Sequence, residues 1–286
     1  MNKNFTWGSK TYIMGVINVT PDSFSGDGVL QDDNWIAGAI EQGARLEAEG
    51  ADILDVGGES TRPGSVPISQ EEELARVIPV IQGLATKVRI PISIDTYKSE
   101  VARHAVEAGA GMINDVWGLQ RDKNMAHVAA SKGVPIVVMH NRSREKDVTK
   151  HNSLGGRYAG VEYSDLMTDI ERELQVSIDD ALTAGIKKEN IIIDPGIGFG
   201  KTVEQNLELV NRFRELTKLG YPILAGPSRK SFVGYTLNLP AHERLEGTAA
   251  AVALLIDRGV DIVRVHDVAA MKRVATLTDA IVRKHF

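Results

Sequence analysis

Cysteine is missing from this chain of 286 residues. Its absence excludes disulfides, thiolate-bound metals, iron–sulfur clusters and a cysteine nucleophile. A basic excess is missing as well, because 38 acidic residues face 33 lysines and arginines, which gives a formal net charge of −5. Proteins that bind nucleic acid or anionic membranes non-specifically depend on such an excess, so we expect no nucleic-acid partner.

Long hydrophobic runs are also missing. The apolar run at residues 12–19 contains Gly15 and Asn18, and the uncharged run at residues 247–256 stops at Asp257. Both runs are shorter than the roughly 18 residues of a membrane-spanning helix, and we see no export signal. We therefore expect no membrane partner and, by default, a cytoplasmic location.

Short apolar runs without alternation recur along the chain, as is typical of buried parallel strands. They cover Tyr12–Asn18, Ile53–Val56, Ile92–Asp95, Met112–Asn114, Ile136–Met139, Ile191–Asp194, Ile223–Ala225 and Ile262–Val265. Helical periodicity separates them, as in Leu166, Ile170, Leu174 and Ile178 or in Val274, Leu277 and Ile281. Another helix is predicted after residue 72, because Ser69 and Glu72 form a capping-box pattern.

Eight strand-and-helix units predict an α/β fold, a single-domain (β/α)8 TIM barrel spanning residues 1–286. A doubly wound open sheet is the alternative. It is disfavoured because residues 18–21 read Asn-Val-Thr-Pro where a dinucleotide-binding sheet carries its glycine-rich turn. One polar segment, residues 141–160, is predicted to be a long loop, and its role is left open.

Polar groups follow every predicted strand, where a TIM barrel places its active site. They are Asn18, Thr61 with Arg62, Asp95, Asn114, His140, Asp194, Lys230 with Ser231, and Arg264 with His266. A single such residue is usually a helix cap or a solvated charge, but eight strands that agree on one rim indicate a binding site.

The chemistry of these groups suggests a ligand. Asp95 and Asp194 only accept hydrogen bonds, Asn114 donates and accepts, and Lys230 adds a positive charge. This set suits a flat heterocycle with an amide–guanidine edge.

A second set of rim groups suits a phosphate. Arg62 and Arg264 are cationic, and His266 is potentially cationic. Asn18 offers an oxygen that Mg²⁺ accepts together with phosphate oxygens and water. The residues therefore predict a heterocycle that carries a phosphate or diphosphate, without naming the heterocycle.

Two other sites are disfavoured. Residues 196–202 resemble a Walker loop, but only three residues separate Gly196 from Gly200 and position 195 is proline. A zinc site at His140 with His151 or His266 lacks both cysteine and a helical His-x-x-x-His spacing.

Together the loop motifs resemble the dihydropteroate synthase family. The matching segments are residues 17–25 (INVTPDSFS), 58–64 (GESTRPG), 93–96 (SIDT), 113–116 (INDV), 194–201 (DPGIGFGK), 228–231 (SRKS) and 264–267 (RVHD). They stand in the family's order across the chain. After Ser25 the family usually reads Asp-Gly-Gly, whereas this chain has Gly26-Asp27-Gly28, which leaves the role of Asp27 open.

The resemblance implies a TIM-barrel transferase of folate biosynthesis that joins (7,8-dihydropterin-6-yl)methyl diphosphate to 4-aminobenzoate, depends on Mg²⁺, is inhibited by sulfonamides and forms homodimers. The implied pterin-pocket residues are Asp95, Asn114, Asp194 and Lys230, with Phe199 and Val265 as further substrate contacts. Thr61, Arg62, Arg264 and His266 match positions around the diphosphate, and Asn18 matches the metal ligand. Phe24, Pro63, Lys230 and Ser231 match the aminobenzoate pocket. The expected catalytic residues are Asn18, Arg62, Lys230, Arg264 and His266.

Three alternatives remain open. A pterin-binding methyltransferase on a related barrel would share Asp95, Asn114 and Asp194 but has no use for a diphosphate clamp. A Schiff-base aldolase would use Lys230 as its nucleophile. A non-catalytic binding protein would keep the scaffold without turnover.

Overall fold

The computed structural model describes residues 5–19, 34–61, 65–159 and 161–283. Within them, eight parallel strands form one sheet. They are β1 (Tyr12–Asn18), β2 (Ile53–Gly57), β3 (Ile92–Asp95), β4 (Met112–Asp115), β5 (Ile136–Met139), β8 (Ile191–Asp194), β9 (Leu224–Ala225) and β10 (Ile262–Val265). They pair in the order β8-β5-β4-β3-β2-β1-β10-β9. A parallel bridge between Ile193 and Ile223 joins the two ends of this order. The predicted TIM barrel is confirmed.

Helices alternate with the barrel strands. They are α1 (Asn34–Ala48), α2 (Gln70–Lys87), α3 (Ser99–Ala108), α4 (Met125–Lys132), α5 (Leu166–Thr183), α6 (Val203–Arg212), α7 (Ser231–Leu237), α8 (Leu245–Asp257) and α9 (Val268–Val282). Short 3₁₀ turns cover Glu145–Asp147, Lys188–Asn190, Phe213–Leu219 and Ala241–Glu243. In the part of the chain that the structure describes, none of the helices combines the length and apolarity needed to cross a membrane.

Apolar side chains fill the lower half of the barrel interior. Because successive residues of a strand face opposite sides, each strand sends alternate residues inward. The inward apolar cluster consists of Tyr12, Met14, Ile53, Met112, Val137, Ile192, Leu224 and Ile262. Phe5 and Trp7 stack with ring centroids 5.1 Å apart and pack against this cluster. The lower half of the barrel interior is therefore a solid apolar core.

The outer faces of the strands pack against the helices in a second core. Leu166, Ile170, Leu174 and Ile178 are buried there, as their spacing predicts. Ser69 caps α2 by accepting from the Glu72 backbone N–H at 3.1 Å. The other half of the predicted capping box is not formed, because the Glu72 carboxylate instead contacts the Arg76 guanidinium.

The last helix departs from expectation in its exposure. The periodicity of Val274, Leu277 and Ile281 correctly predicts a helix, α9. However, Leu277 is 65% and Ile281 is 62% exposed, so these two face away from the barrel, whereas Val274 packs against the core.

The segment predicted as a long loop contains an antiparallel hairpin, β6 (Val148–His151) with β7 (Gly155–Tyr158). Because the segment is rich in polar side chains and glycines, the sequence did not predict these two strands. The Tyr235 hydroxyl donates to the Gly155 carbonyl at 3.1 Å, and the Arg244 guanidinium donates to the Leu154 carbonyl at 3.0 Å. The hairpin is thus held by α7 and by the segment before α8.

Candidate active site

Polar side chains form the upper layer of the barrel interior, directly above the apolar cluster. Strand register sets their neighbours: Asp95 lies beside Asn114, and Asp194 lies beside Met139. Asp95, Asn114 and Asp194 are all buried. Parallel strands thus bring residues that are distant in sequence into one site, as the sequence predicts.

A network of ionic hydrogen bonds crosses one side of this layer. Arg264 Nε donates to Asp55 Oδ2 at 2.6 Å, and Arg264 Nη2 donates to Asp95 Oδ2 at 2.6 Å. Asn114 Nδ2 also donates to Asp55 Oδ2, at 3.0 Å. Asp55 therefore holds Arg264 and Asn114 in place, while Arg264 Nη1 makes no hydrogen bond to the described residues.

Burial dominates the electrostatics of this network. It raises the pKa of Asp95 to about 7, an effect that Arg264 opposes and Asp55 reinforces. Burial alone would lower the pKa of Arg264, but Asp55 and Asp95 raise it above its usual range. The Oδ1 atoms of Asp55 and Asp95 are buried without a hydrogen-bond partner among the described residues. Such acceptors can be satisfied by a ligand with N–H groups.

The opposite side of the layer is formed by β8 and the loop after it. Asp194 Oδ1 accepts from the Gly196 N–H at 2.7 Å, and burial raises the pKa of Asp194 to about 6. Lys230 Nζ lies 3.9 Å from the centre of the Phe199 ring, a cation–π contact. Burial, followed by repulsion from Arg264, lowers the pKa of Lys230 to about 8.

A depression of about 200 Å³ borders the polar layer and is lined by Val16, Asn18, Gln42, Arg229 and His266. Within this depression, the His266 side chain shares a hydrogen bond with the Ser228 hydroxyl at 3.0 Å. Its residue type alone makes His266 a potential cation. In the folded chain, burial and then the nearby arginines lower the pKa of His266 to about 3, so the ring is neutral near neutral pH.

Asn18 is the residue predicted to bind metal. It ends β1 and is half-buried, and its carboxamide makes no hydrogen bond to the described residues. These residues contain no cluster of three His, Asp or Glu side chains that could enclose a metal. A free amide oxygen fits a Mg²⁺ ion that takes its other ligands from phosphate and water.

The remaining predicted residues divide into three groups. Thr61 is half-exposed near the rim, and Ser231 is half-buried at the start of α7. Val265 does not join the site, because its side chain is buried in the core between strands and helices. Phe24, Arg62 and Pro63 lie outside the described residues, as does Asp27.

Asp55 is the site residue that sequence reasoning missed. It stands inside an apolar strand, between Leu54 and Val56, and was treated as part of that strand. A signal was available, since an acidic residue inside a buried strand needs a partner.

The match to known proteins agrees with this geometry. Residues 14–266 match the family model described as "Pterin binding enzyme". The chain belongs to this family. Within it, the chain is 50% identical to the dihydropteroate synthase of Clostridium beijerinckii, over 99% of this chain and 98% of that protein. It is 47% identical to the dihydropteroate synthase of Bacillus subtilis, over 96% and 90% of the two chains.

Solved structures of pterin-binding enzymes show the same fold. A Clostridium difficile dihydropteroate synthase, determined in the presence of pteroic acid, superimposes with a TM-score of 0.89 at 49% identity, covering 98% of this chain and 100% of that one. A Xanthomonas albilineans dihydropteroate synthase with 4-aminobenzoic acid gives a TM-score of 0.86 at 41% identity, covering 96% and 94%. These relatives support a synthase over the methyltransferase alternative.

Proposed function

We propose that the protein is a dihydropteroate synthase, which joins (7,8-dihydropterin-6-yl)methyl diphosphate to 4-aminobenzoate and releases diphosphate and 7,8-dihydropteroate. The observation that carries this proposal is the polar layer inside a barrel whose family binds pterins. In that layer, buried carboxylates with unsatisfied oxygens face a lysine and an arginine.

Pterin recognition follows from the donors and acceptors of the layer. The pterin ring presents an amino group and ring N–H groups on one edge, and Asp95 and Asp194 accept from such groups. Asn114 donates one proton to Asp55 and leaves its carboxamide oxygen available. Lys230 donates toward ring acceptors while its ammonium stays against Phe199.

The reaction breaks one bond and forms one. The C–O bond between the pterin methylene and diphosphate breaks, and the electron pair leaves with diphosphate. The methylene cation that remains is conjugated to the ring, and the ionised carboxylates stabilise its charge. The amine of 4-aminobenzoate attacks this carbon and afterwards loses one proton, so no protein nucleophile is needed.

The leaving diphosphate needs its charge neutralised. Arg264 Nη1 is available for this, and neutral His266 serves as a hydrogen-bond donor. When bound at Asn18, Mg²⁺ would supply further neutralisation of the diphosphate oxygens. Arg62 and Thr61 are proposed to complete this clamp.

The aminobenzoate pocket is proposed to include Lys230 and Ser231, together with Phe24 and Pro63. Relatives support this class of ligand, since the Xanthomonas albilineans structure contains 4-aminobenzoic acid. A Yersinia pestis dihydropteroate synthase has been solved as a sulfonamide complex. We therefore propose that sulfonamides compete with 4-aminobenzoate at this site.

A diphosphate-release assay tests the function. With both substrates and Mg²⁺, diphosphate and dihydropteroate are expected in equal amounts, and a sulfonamide should inhibit competitively against 4-aminobenzoate. Removing Mg²⁺ should abolish release. Release that is independent of 4-aminobenzoate, or transfer of a methyl group instead, would contradict the proposal.

We also propose that the protein is a homodimer joined through α8 and α9. These helices pack together, and they expose Leu254, Leu277 and Ile281. Exposed apolar groups on neighbouring helices are typical of an interface between subunits. Leu277→Lys should give a monomer in light scattering, whereas Leu207→Lys on α6 should remain dimeric. The cytoplasmic location expected from the sequence stays a prediction.

A further inference from the structure

A buried lysine lies behind the active site and has no place in the proposed mechanism. Lys201 follows the β8 loop and is only 2% exposed. Its Nζ lies 2.9 Å from His140 Nδ1, 3.0 Å from the Gly196 carbonyl and 3.1 Å from the Phe199 carbonyl. Burial lowers the pKa of Lys201 to about 7. The three acceptors match the three protons of an ammonium, so this set of contacts favours the charged form.

The proton on His140 can be placed from its other contact. His140 Nε2 lies 3.0 Å from Glu173 Oε2, and a carboxylate only accepts. Nε2 therefore carries the proton, and Nδ1 is left as an acceptor for Lys201. Burial acts to raise the pKa of Glu173, but hydrogen bonds from His140 and Arg142 bring it well below the usual range. Glu173 is thus ionised; it pairs directly with Arg142 and is connected to Lys201 through the imidazole, while Asp194 exerts the larger attraction on the Lys201 charge.

The two carbonyls bound by Lys201 belong to residues that shape the pterin pocket. The Gly196 N–H donates to Asp194 Oδ1 at 2.7 Å. The Phe199 ring lies against the Lys230 ammonium. Lys201 therefore holds, from behind, the backbone of Gly196 and Phe199, the two residues that contact Asp194 and Lys230.

The loop has little other freedom in this position. Gly196 has a φ of +71°, and a Cβ on it would overlap the His140 carbonyl oxygen. Gly198 has a φ of +80°, and a Cβ there would lie 2.8 Å from Lys230 Cδ. Left-handed glycines allow the loop to pass this closely to its neighbours but do not hold it. The hydrogen bonds from Lys201 supply part of that constraint, together with Asn206 Oδ1, which accepts from the Gly198 N–H at 2.6 Å, and the Tyr163 hydroxyl, which donates to the Gly200 carbonyl at 2.9 Å.

We propose that Lys201 is a positioning residue for the pterin site, which holds the loop at residues 195–200 through its ammonium, with His140 and Glu173 as the supporting relay. The inference rests on the proposed function. It predicts a larger effect of Lys201 on pterin affinity than on 4-aminobenzoate affinity, since the held loop contacts Asp194, which serves the pterin alone, and Lys230, which is shared by both pockets.

Calorimetric titration with 6-hydroxymethylpterin tests the inference in wild type, Lys201→Met and Lys10→Met. Lys10 is a matched control, because it pairs with Asp52 at the amino end of the barrel. Lys201→Met should weaken pterin binding about tenfold or more, since charged hydrogen bonds to the loop are lost. In steady state, KM for the pterin substrate should rise by a larger factor than KM for 4-aminobenzoate. Lys10→Met should bind as wild type does.

The outcomes separate the two proposals. If wild type itself does not bind the pterin, the proposed function is contradicted and this inference with it. If wild type binds and folded Lys201→Met binds equally well, only this inference is overturned. Should Lys201→Met not fold, the ¹⁵N spectrum of His140 in wild type decides. Protonated Nε2 with unprotonated Nδ1 supports the relay, and protonated Nδ1 overturns it.

Discussion

Arg264 Nη2 lies 2.6 Å from Asp95 Oδ2, on one side of the polar layer in the barrel mouth. The same guanidinium also binds Asp55 through Nε. A residue expected to serve the diphosphate therefore also sets the charge of a residue expected to serve the pterin. Binding of the heterocycle and departure of diphosphate are linked through this one side chain.

Asp55→Asn should shift the pH dependence of pterin binding. The negative charge of Asp55 raises the pKa of Asp95, so removing it should bring that pKa below about 7. The acid limb of pterin affinity, measured by titration at a series of pH values, should then move to lower pH. Asp52→Asn, at the residue just before the same strand, should leave the acid limb of pterin affinity at its wild-type pH. If the acid limb of pterin affinity stays at the same pH in Asp55→Asn, the carboxylates of Asp55 and Asp95 are not coupled.

Asp194→Asn should stabilise the fold at high pH while it damages the site. Folding raises the pKa of Asp194 from 3.8 to about 6. The stability contributed by this group is thus fully present below 3.8 and is lost as the pH rises through about 6. The variant should exceed wild type by on the order of 2–3 kcal/mol above about pH 6, and the difference should vanish as the pH falls to 3.8. Urea unfolding across pH measures this, and a pH-independent difference would refute it.

Arg244→Met should destabilise the protein by about 2–4 kcal/mol. Arg244 is buried and donates to the carbonyls of Arg229, Leu239 and Leu154. All three acceptors would be left unpaired, and the hairpin would lose its attachment. Arg214→Met, at an exposed arginine, should change the free energy of unfolding by well under about 1 kcal/mol. Similar unfolding midpoints for the two variants would contradict this role for Arg244.

Phe199→Leu should weaken the hold on Lys230. The ring contributes a cation–π contact on the order of 1–2 kcal/mol when desolvated, and leucine keeps the bulk without the π face. The pKa of Lys230, followed by ¹³C NMR at Cε, should fall further below about 8, whereas Phe199→Tyr should preserve it. If Lys230 has the same pKa in Phe199→Leu as in wild type, the cation–π contact with Phe199 does not stabilise the Lys230 ammonium.

The sequence predicts the barrel well where a strand is a continuous apolar run. Ile191–Asp194 is an example, because three isoleucines followed by aspartate mark both the strand and its carboxyl end. The hairpin at Val148–Tyr158 escapes prediction, since its attachments come from Tyr235 and Arg244, far along the chain. No local pattern encodes such a contact.

The site was predictable where a residue type alone implies its role. Asp95, Asn114 and Asp194 follow strands, so the barrel brings them together. The neutral state of His266 could not be predicted, because it depends on burial and on arginines that only the folded chain places beside it. The contact of Lys201 with His140, and of His140 with Glu173, likewise exists only in the folded chain.

Calorimetric binding of 7,8-dihydropteroate tests the central claim, that the polar layer at the carboxyl end of the barrel is the pterin site. Wild type should bind it, and Asp194→Asn should bind about a hundredfold more weakly, because a charged acceptor is lost. Asp261→Asn is the control, since Asp261 accepts from Gly8 and Ile223 at the amino end of the barrel and should not matter. Equal affinity in wild type and Asp194→Asn would contradict the account.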